Sequence, residues 1–165
     1  MNIFVLSYDP CQAARWHCDK HIPKMCVELY QQLGSALRRY GATDKEMPLT
    51  KSGTPLKGGY HNHPCTKWVG DSLTNWEWAW HHARALFAEF HVRFHKRHFC
   101  EAGLQDLAKV ERGLKIPKGE LTPFALAMPD EHKTDDAVES YRSYYKTKTF
   151  AKWERGSKMP EWLVQ

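Results

Sequence analysis

The strongest pattern in the chain is a run of apolar residues, Leu73, Trp76, Trp80, Ala83, Phe87, Phe90 and Phe94, whose gaps alternate between three and four. That spacing puts every member on one side of an α-helix, so it predicts a long core helix over 72–98, capped by Asp71 or Ser72. The opposite faces carry His81, His82, Arg84, His91, Arg93 and His95. Met25, Leu29, Leu33, Leu37 and Tyr40 repeat with the same period and predict a second helix that stops at Gly41. An earlier helix is expected over about 10–21, because Asp9 can accept from free amides and Pro10 at the first helical position gives up no needed donor. Pro23 is expected to interrupt it. Leu104, Leu107 and Val110 predict a short helix near 101–112, and Thr134, Asp135 and Asp136 suit the start of another that buries Val138, Tyr141 and Tyr145. Met1 to Leu6 reads as a short strand or extended arm. Residues 41–70 hold five glycines and three prolines without helical period, and read as a long loop. Residues 147–165 read as an irregular tail with Trp153 and Trp162 as docking anchors.

The expected fold is therefore mainly all-α, a single compact helical bundle over 1–165 with a short N-terminal extended segment. A chain of 165 residues suffices for one core. No apolar run approaches the roughly 18 residues that span a bilayer, so a membrane is not an expected partner and a cytoplasmic location is. Five cysteines without CxxC spacing do not suggest a disulfide framework. The formal charge of +5 favours a polyanionic or phosphorylated partner.

Two segments carry candidate chemistry. In His17-Cys18-Asp19-Lys20-His21, followed by Lys24, the two histidines stand four apart and on one helix would face one point. They could exchange protons near neutral pH while Lys20 and Lys24 hold phosphates. The same pair, joined by His61 and His63 of HNHPC, could instead ligate a metal. The C-terminal run interleaves Arg142, Lys146 and Lys148 with Tyr141, Tyr144, Tyr145, Phe150 and Trp153, a mixture that suits phosphates and unstacked bases as well as an ordinary amphipathic helix. There is no Gly-rich phosphate loop, no GxSxG and no dinucleotide fingerprint, and no cofactor is implied.

The blocks MNIFVL, HCDKHxxKM, HNHPCxxW, TPFxxAMPD and YRxYY resemble a phage-encoded family across nearly the full length. More distantly, Lys20-His21-Ile22-Pro23-Lys24-Met25 and the block from His63 through Trp68, Leu73, Trp76 and Glu89 to Arg93 are similar to the small helical pyrimidine-dimer DNA glycosylases with abasic-site lyase activity. The resemblance implies that Lys20 and Lys24 fall where DNA-contacting arginines lie, and that His21 falls on a catalytic glutamate. It also implies an N-terminal amine as nucleophile, which here is that of Met1, with Asn2 following. The leading expectation is a phage-encoded DNA glycosylase or lyase acting on a damaged or modified base. His21 would be its acid/base or electrostatic group, His17 and Asp19 the partners of His21, His63 the completion of the pocket, and Met1 or Lys20 the amine that forms any imine. Lys20, Lys24, Arg93, Arg142, Lys146, Lys148 and Trp153 would contact the nucleic acid. The alternatives are a His-ligated nuclease or hydrolase, and a non-catalytic binder of nucleotides or of a host protein.

Overall fold

Helix α4 (Leu73–Phe94) runs through the middle of the protein, and its N-terminus is capped by Ser72, whose hydroxyl accepts from the Asn75 amide at 3.1 Å. Around it the computed structural model, which describes residues 2–164, places α1 (Pro10–Trp16), α2 (His21–Arg39), α3 (Pro64–Asp71), α5 (Glu101–Arg112) and α6 (Ala137–Lys146). Two single 3-10 turns, Asp130–His132 and Glu161–Leu163, complete the regular structure. Among the described residues there is no strand, only an isolated bridge between Leu49 and Pro55, so the fold is an all-α bundle. None of these helices is long and apolar enough to cross a membrane.

The helix ends at Phe94, short of residue 98, because His95 turns left-handed at φ 54°. It is also buried on two faces. The expected stripe meets α2, where the Trp76 indole donates to the Leu33 carbonyl. A second stripe, Trp78, His82, Leu86 and Arg93, lies under α1 and the chain leading into it: Trp78 donates to the Tyr8 carbonyl and His82 Nδ1 to the Pro10 carbonyl, both at 2.8 Å. His82 and Arg93 are thus interior residues.

The first two helices break earlier than proline chemistry suggested. Helix α1 stops at Trp16, and α2 starts at His21 with Pro23 in its opening turn. First-turn amides have no acceptor within their own helix, so Pro23 removes no bond there. His17 therefore lies outside both helices. Helix α2 ends as expected: Gly41 at φ 93° and Ala42 donate back to the Arg38 and Leu37 carbonyls, both at 3.1 Å. The loop that follows is shorter than 41–70. His63 caps α3 by accepting from the Cys65 amide at 3.1 Å, and Pro64 takes the first helical position.

Both chain ends are bound to this frame. Ile3, Phe4, Val5 and Leu6 form an extended arm inserted into the core, not a strand. The tail crosses the α1–α2 link: the Asp19 amide donates to the Lys152 carbonyl (2.9 Å), and Asp19 Oδ2 accepts from the Glu154 amide (2.7 Å). Arg142 lies between the rings of Trp16 and Trp162, 4.9 and 5.3 Å from their centroids, and donates to the Leu6 carbonyl.

Arg93 ties these pieces together. Its side chain is 0% exposed, and each of its five N–H groups is used. Nε and Nη2 donate to Glu89 Oε2 (3.0 and 2.9 Å), Nη2 also to the Arg15 carbonyl (2.9 Å), and Nη1 to the His17 carbonyl (2.8 Å) and Asp19 Oδ1 (3.1 Å). Glu89 Oε2 further accepts from Ser157 in the tail at 2.8 Å. Arg93→Leu would strand two largely buried carboxylates, and is expected to cost about 3–5 kcal/mol in urea unfolding. It should also loosen the tail, read as faster amide exchange at Glu154.

Candidate functional site

The opening turns of α2 present His21, Lys24 and Glu28 on one face, at i, i+3 and i+7. Over His21 lies Phe4, with ring centroids 4.8 Å apart and planes at 22°. Asn2 sets that position: its Oδ1 accepts from the Ile3 and Phe4 amides (2.7 and 3.0 Å), while its Nδ2 donates to the Ala127 carbonyl at 2.7 Å. This turn holds Phe4 at φ 52°, a left-handed conformation that costs a bulky residue about 1–3 kcal/mol. Phe150 meets His21 edge-on at 5.3 Å, and Lys20 Nζ lies 4.7 Å over the Phe150 ring. Lys148 Nζ lies 3.6 Å over Tyr144 and 5.9 Å from Phe4. The arm, the start of α2, the end of α6 and the tail thus converge on one imidazole.

Burial pushes the His21 pKa down to about 4, and the positive charges of Lys24, Lys148 and Lys20 push in the same direction. The imidazole is neutral at physiological pH. Its Nδ1 lies 2.9 Å from the Tyr145 hydroxyl, which already accepts from the Cys18 amide at 2.9 Å. The hydroxyl still has its own hydrogen to give, and when Nδ1 takes it the ring proton sits on Nε2. Nε2 has no hydrogen-bond partner among the described residues. The arrangement is a neutral N–H donor between aromatic walls, with three ammonium groups around it.

The chain matches no family model, no curated protein and no solved structure. The functional argument therefore rests on the geometry.

Several residues singled out by the sequence lie elsewhere. His17 is fully buried, its Nδ1 donating to the Ala13 carbonyl at 2.8 Å; its ring is 6.3 Å from His21 and 5.4 Å from His82. It is no surface acid or base, since burial first, then His82 and His21, lower its pKa well below the usual value. Asp19 spends one carboxylate oxygen on Arg93 and the other on Glu154, so it does not orient His21. Arg93 is sealed in the core and Arg142 is held between two tryptophans, which takes both from the nucleic-acid set. Trp153 is half-buried against Tyr145 as a tail anchor. Lys146 is exposed at the end of α6. Met1 lies outside the described residues.

His63 sits at the α3 N-terminus, where burial lowers its pKa and the Glu28 carboxylate works against that. His61 is exposed beside a separate cavity lined by Arg39 and Asp71. His17, His21, His61 and His63 do not converge, and among the described residues no group of three or more His, Cys, Asp or Glu is arranged to hold a metal ion.

Glu28 was not singled out by the sequence. Its Oε2 accepts from the Asn2 amide at 3.1 Å, and its Oε1 lies 3.6 Å from Lys24 Nζ. The one sequence signal is the Lys24–Glu28 pair four residues apart, which looks like any exposed helical ion pair.

His82 is likewise pushed down to about 4 by burial. For His21 and His82 the folded pKa lies below the usual 6.5, so between pH 6.5 and 4 the unfolded chain binds more protons than the folded one. Stability is fully present above that window and falls as pH drops through it, by up to about 1.4 kcal/mol per pH unit for each histidine. Urea midpoints at pH 7, 5.5 and 4.5 are expected to decrease in that order, and His21→Gln should flatten part of the slope.

Proposed function

We propose that the protein acts on nucleic acid, as a glycosylase- or lyase-type enzyme for an altered base in DNA. The observation that carries this reading is the convergence of Lys20, Lys24 and Lys148 on a neutral His21 flanked by Phe4, Tyr145 and Phe150. Ammonium groups suit the phosphates of a strand, and the exposed Phe150 ring suits an unstacked base. A base that leaves a sugar gathers negative charge on its ring oxygens and nitrogens. A neutral Nε2–H donor stabilises that charge without giving up its proton. His21 is thus an electrostatic group in this reading, and not the proton-exchanging acid or base that an ordinary histidine would be. Glu28, bound to the amide of residue 2, supports the lyase form, because it puts a carboxylate one residue along the chain from the candidate α-amine of Met1. A carboxylate there suits the cationic sugar that forms when the base departs.

The test uses single- and double-stranded DNA carrying pyrimidine dimers, uracil or abasic sites, with borohydride to trap an imine. Base release or a trapped adduct is expected, lost in His21→Ala while binding persists. Lys20→Ala, Lys24→Ala and Lys148→Ala are each expected to weaken binding and lower the salt slope of the affinity by about one. Undiminished turnover in His21→Ala removes that residue from the chemistry. Salt-sensitive binding with no base released on any substrate makes the protein a binder.

A further inference from the structure

Farther along α2, on the flank away from the arm, a cavity of about 610 Å3 opens between that helix, the 49–56 turn and the start of α5. Val27, Leu49, Leu56, Tyr30 and Phe99 supply its apolar walls, and Lys51 is the one charged side chain among its lining residues. The cavity walls are built in. A Cβ on Gly103 would collide with the Tyr30 hydroxyl, and one on Gly34 would sit 2.7 Å from Leu56 Cδ2. Both walls stand where they do because those positions are glycine.

Three features describe an occupant. Phe99 is 62% exposed, yet its ring is held flat against His98, at 4.5 Å and 26°, and His98 is packed on Phe87 and Phe90. A large aromatic face is thereby kept rigid at the cavity mouth, with Lys51 Nζ 6.0 Å from its centre. The Tyr30 hydroxyl and the Gln31 amide have no hydrogen-bond partner among the described residues. Burial holds the Tyr30 pKa up at about 12, so the hydroxyl is a neutral donor. A neighbouring cavity of about 570 Å3 shares Phe99 and Ala102 and is lined by Arg84, Arg97 and Glu101. With Lys51, that sets three cations against one carboxylate around Phe99.

We propose that this cavity is a binding site for a planar aromatic ligand with a single negative charge. Its ring lies against Phe99, polar atoms on the ring edge meet Tyr30 and Gln31, and the charge faces Lys51. A flexible alkyl chain would leave the hydroxyl and the amide unused, and a neutral ring would leave the cations unmatched. The site does not depend on the nucleic-acid reading, because it shares no residue with the His21 cluster.

The probe is 2-naphthoate, titrated into the full chain and followed by amide NMR shifts, with neutral 2-acetylnaphthalene and aliphatic decanoate as controls. Saturable shifts are expected at Gln31, Phe99 and Ala102. Lys51→Ala and Tyr30→Phe should each weaken naphthoate by roughly three- to tenfold. Phe99→Ala should remove binding, and Lys24→Ala should leave it unchanged. Lys51 and Phe99 are exposed, so their replacement leaves the fold intact. The proposal is overturned if naphthoate shifts centre on Phe4 and His21, if decanoate binds equally well, if Lys51→Ala and Tyr30→Phe change nothing, or if millimolar naphthoate gives no saturable shift.

Discussion

A guanidinium with no contact to water holds this structure together. Removing Arg93 from solvent is tolerable only because two carboxylates and two main-chain carbonyls meet all five of its hydrogens. The acceptors come from three parts of the chain, so satisfying one side chain fixes the ending of α1, the link into α2 and the last turns of α4 together. The carboxylates then carry the order outward, Asp19 to Glu154 and Glu89 to Ser157. A tail with almost no regular structure of its own is thereby held in place, and that tail delivers Phe150 to His21.

Apolar periodicity made half of this legible. The stripe on α4, the stripe and glycine stop of α2, and the caps at Asp9, Ser72 and Asp136 all stand where local chemistry put them. The second buried face of α4 was not legible, because it is built from His82, Glu89 and Arg93 among the apolar residues, and a count of apolar positions passes over them. The α1–α2 break was misread for a related reason. Proline ends a helix from the inside but is neutral in its first turn, and the residues alone do not say which turn it occupies. Helix α3 is eight residues long and contains Thr, Val and Gly, too short for a period to repeat.

The candidate site was legible in part. Lys20, Lys24 and His21 stood out as a cationic cluster about a histidine, and the structure keeps them together. The character of that histidine was not legible, since a free imidazole titrates near neutral pH and this one does not. Its neutrality comes from Phe4, Tyr145 and Phe150, which reach it from both ends of the chain. His17 and Asp19, next to it in sequence, serve the Arg93 network and the core instead. Glu28 gained its importance only when the arm folded back along α2.

That fold-back makes the order of synthesis matter. The hydrogen bond between His21 and Tyr145 joins residues 124 positions apart, and Phe4 waits at the far end of the chain for the same partners. Closing so long a loop carries an entropic toll that no local helix shares, so contacts of this kind form late. On a ribosome the arm emerges ahead of α6 and the tail, and has no seat until they follow. The cluster around His21 is therefore a completeness signal: a chain released before residue 145 contains α1 to α5 but lacks the end of α6 and the constellation that it completes.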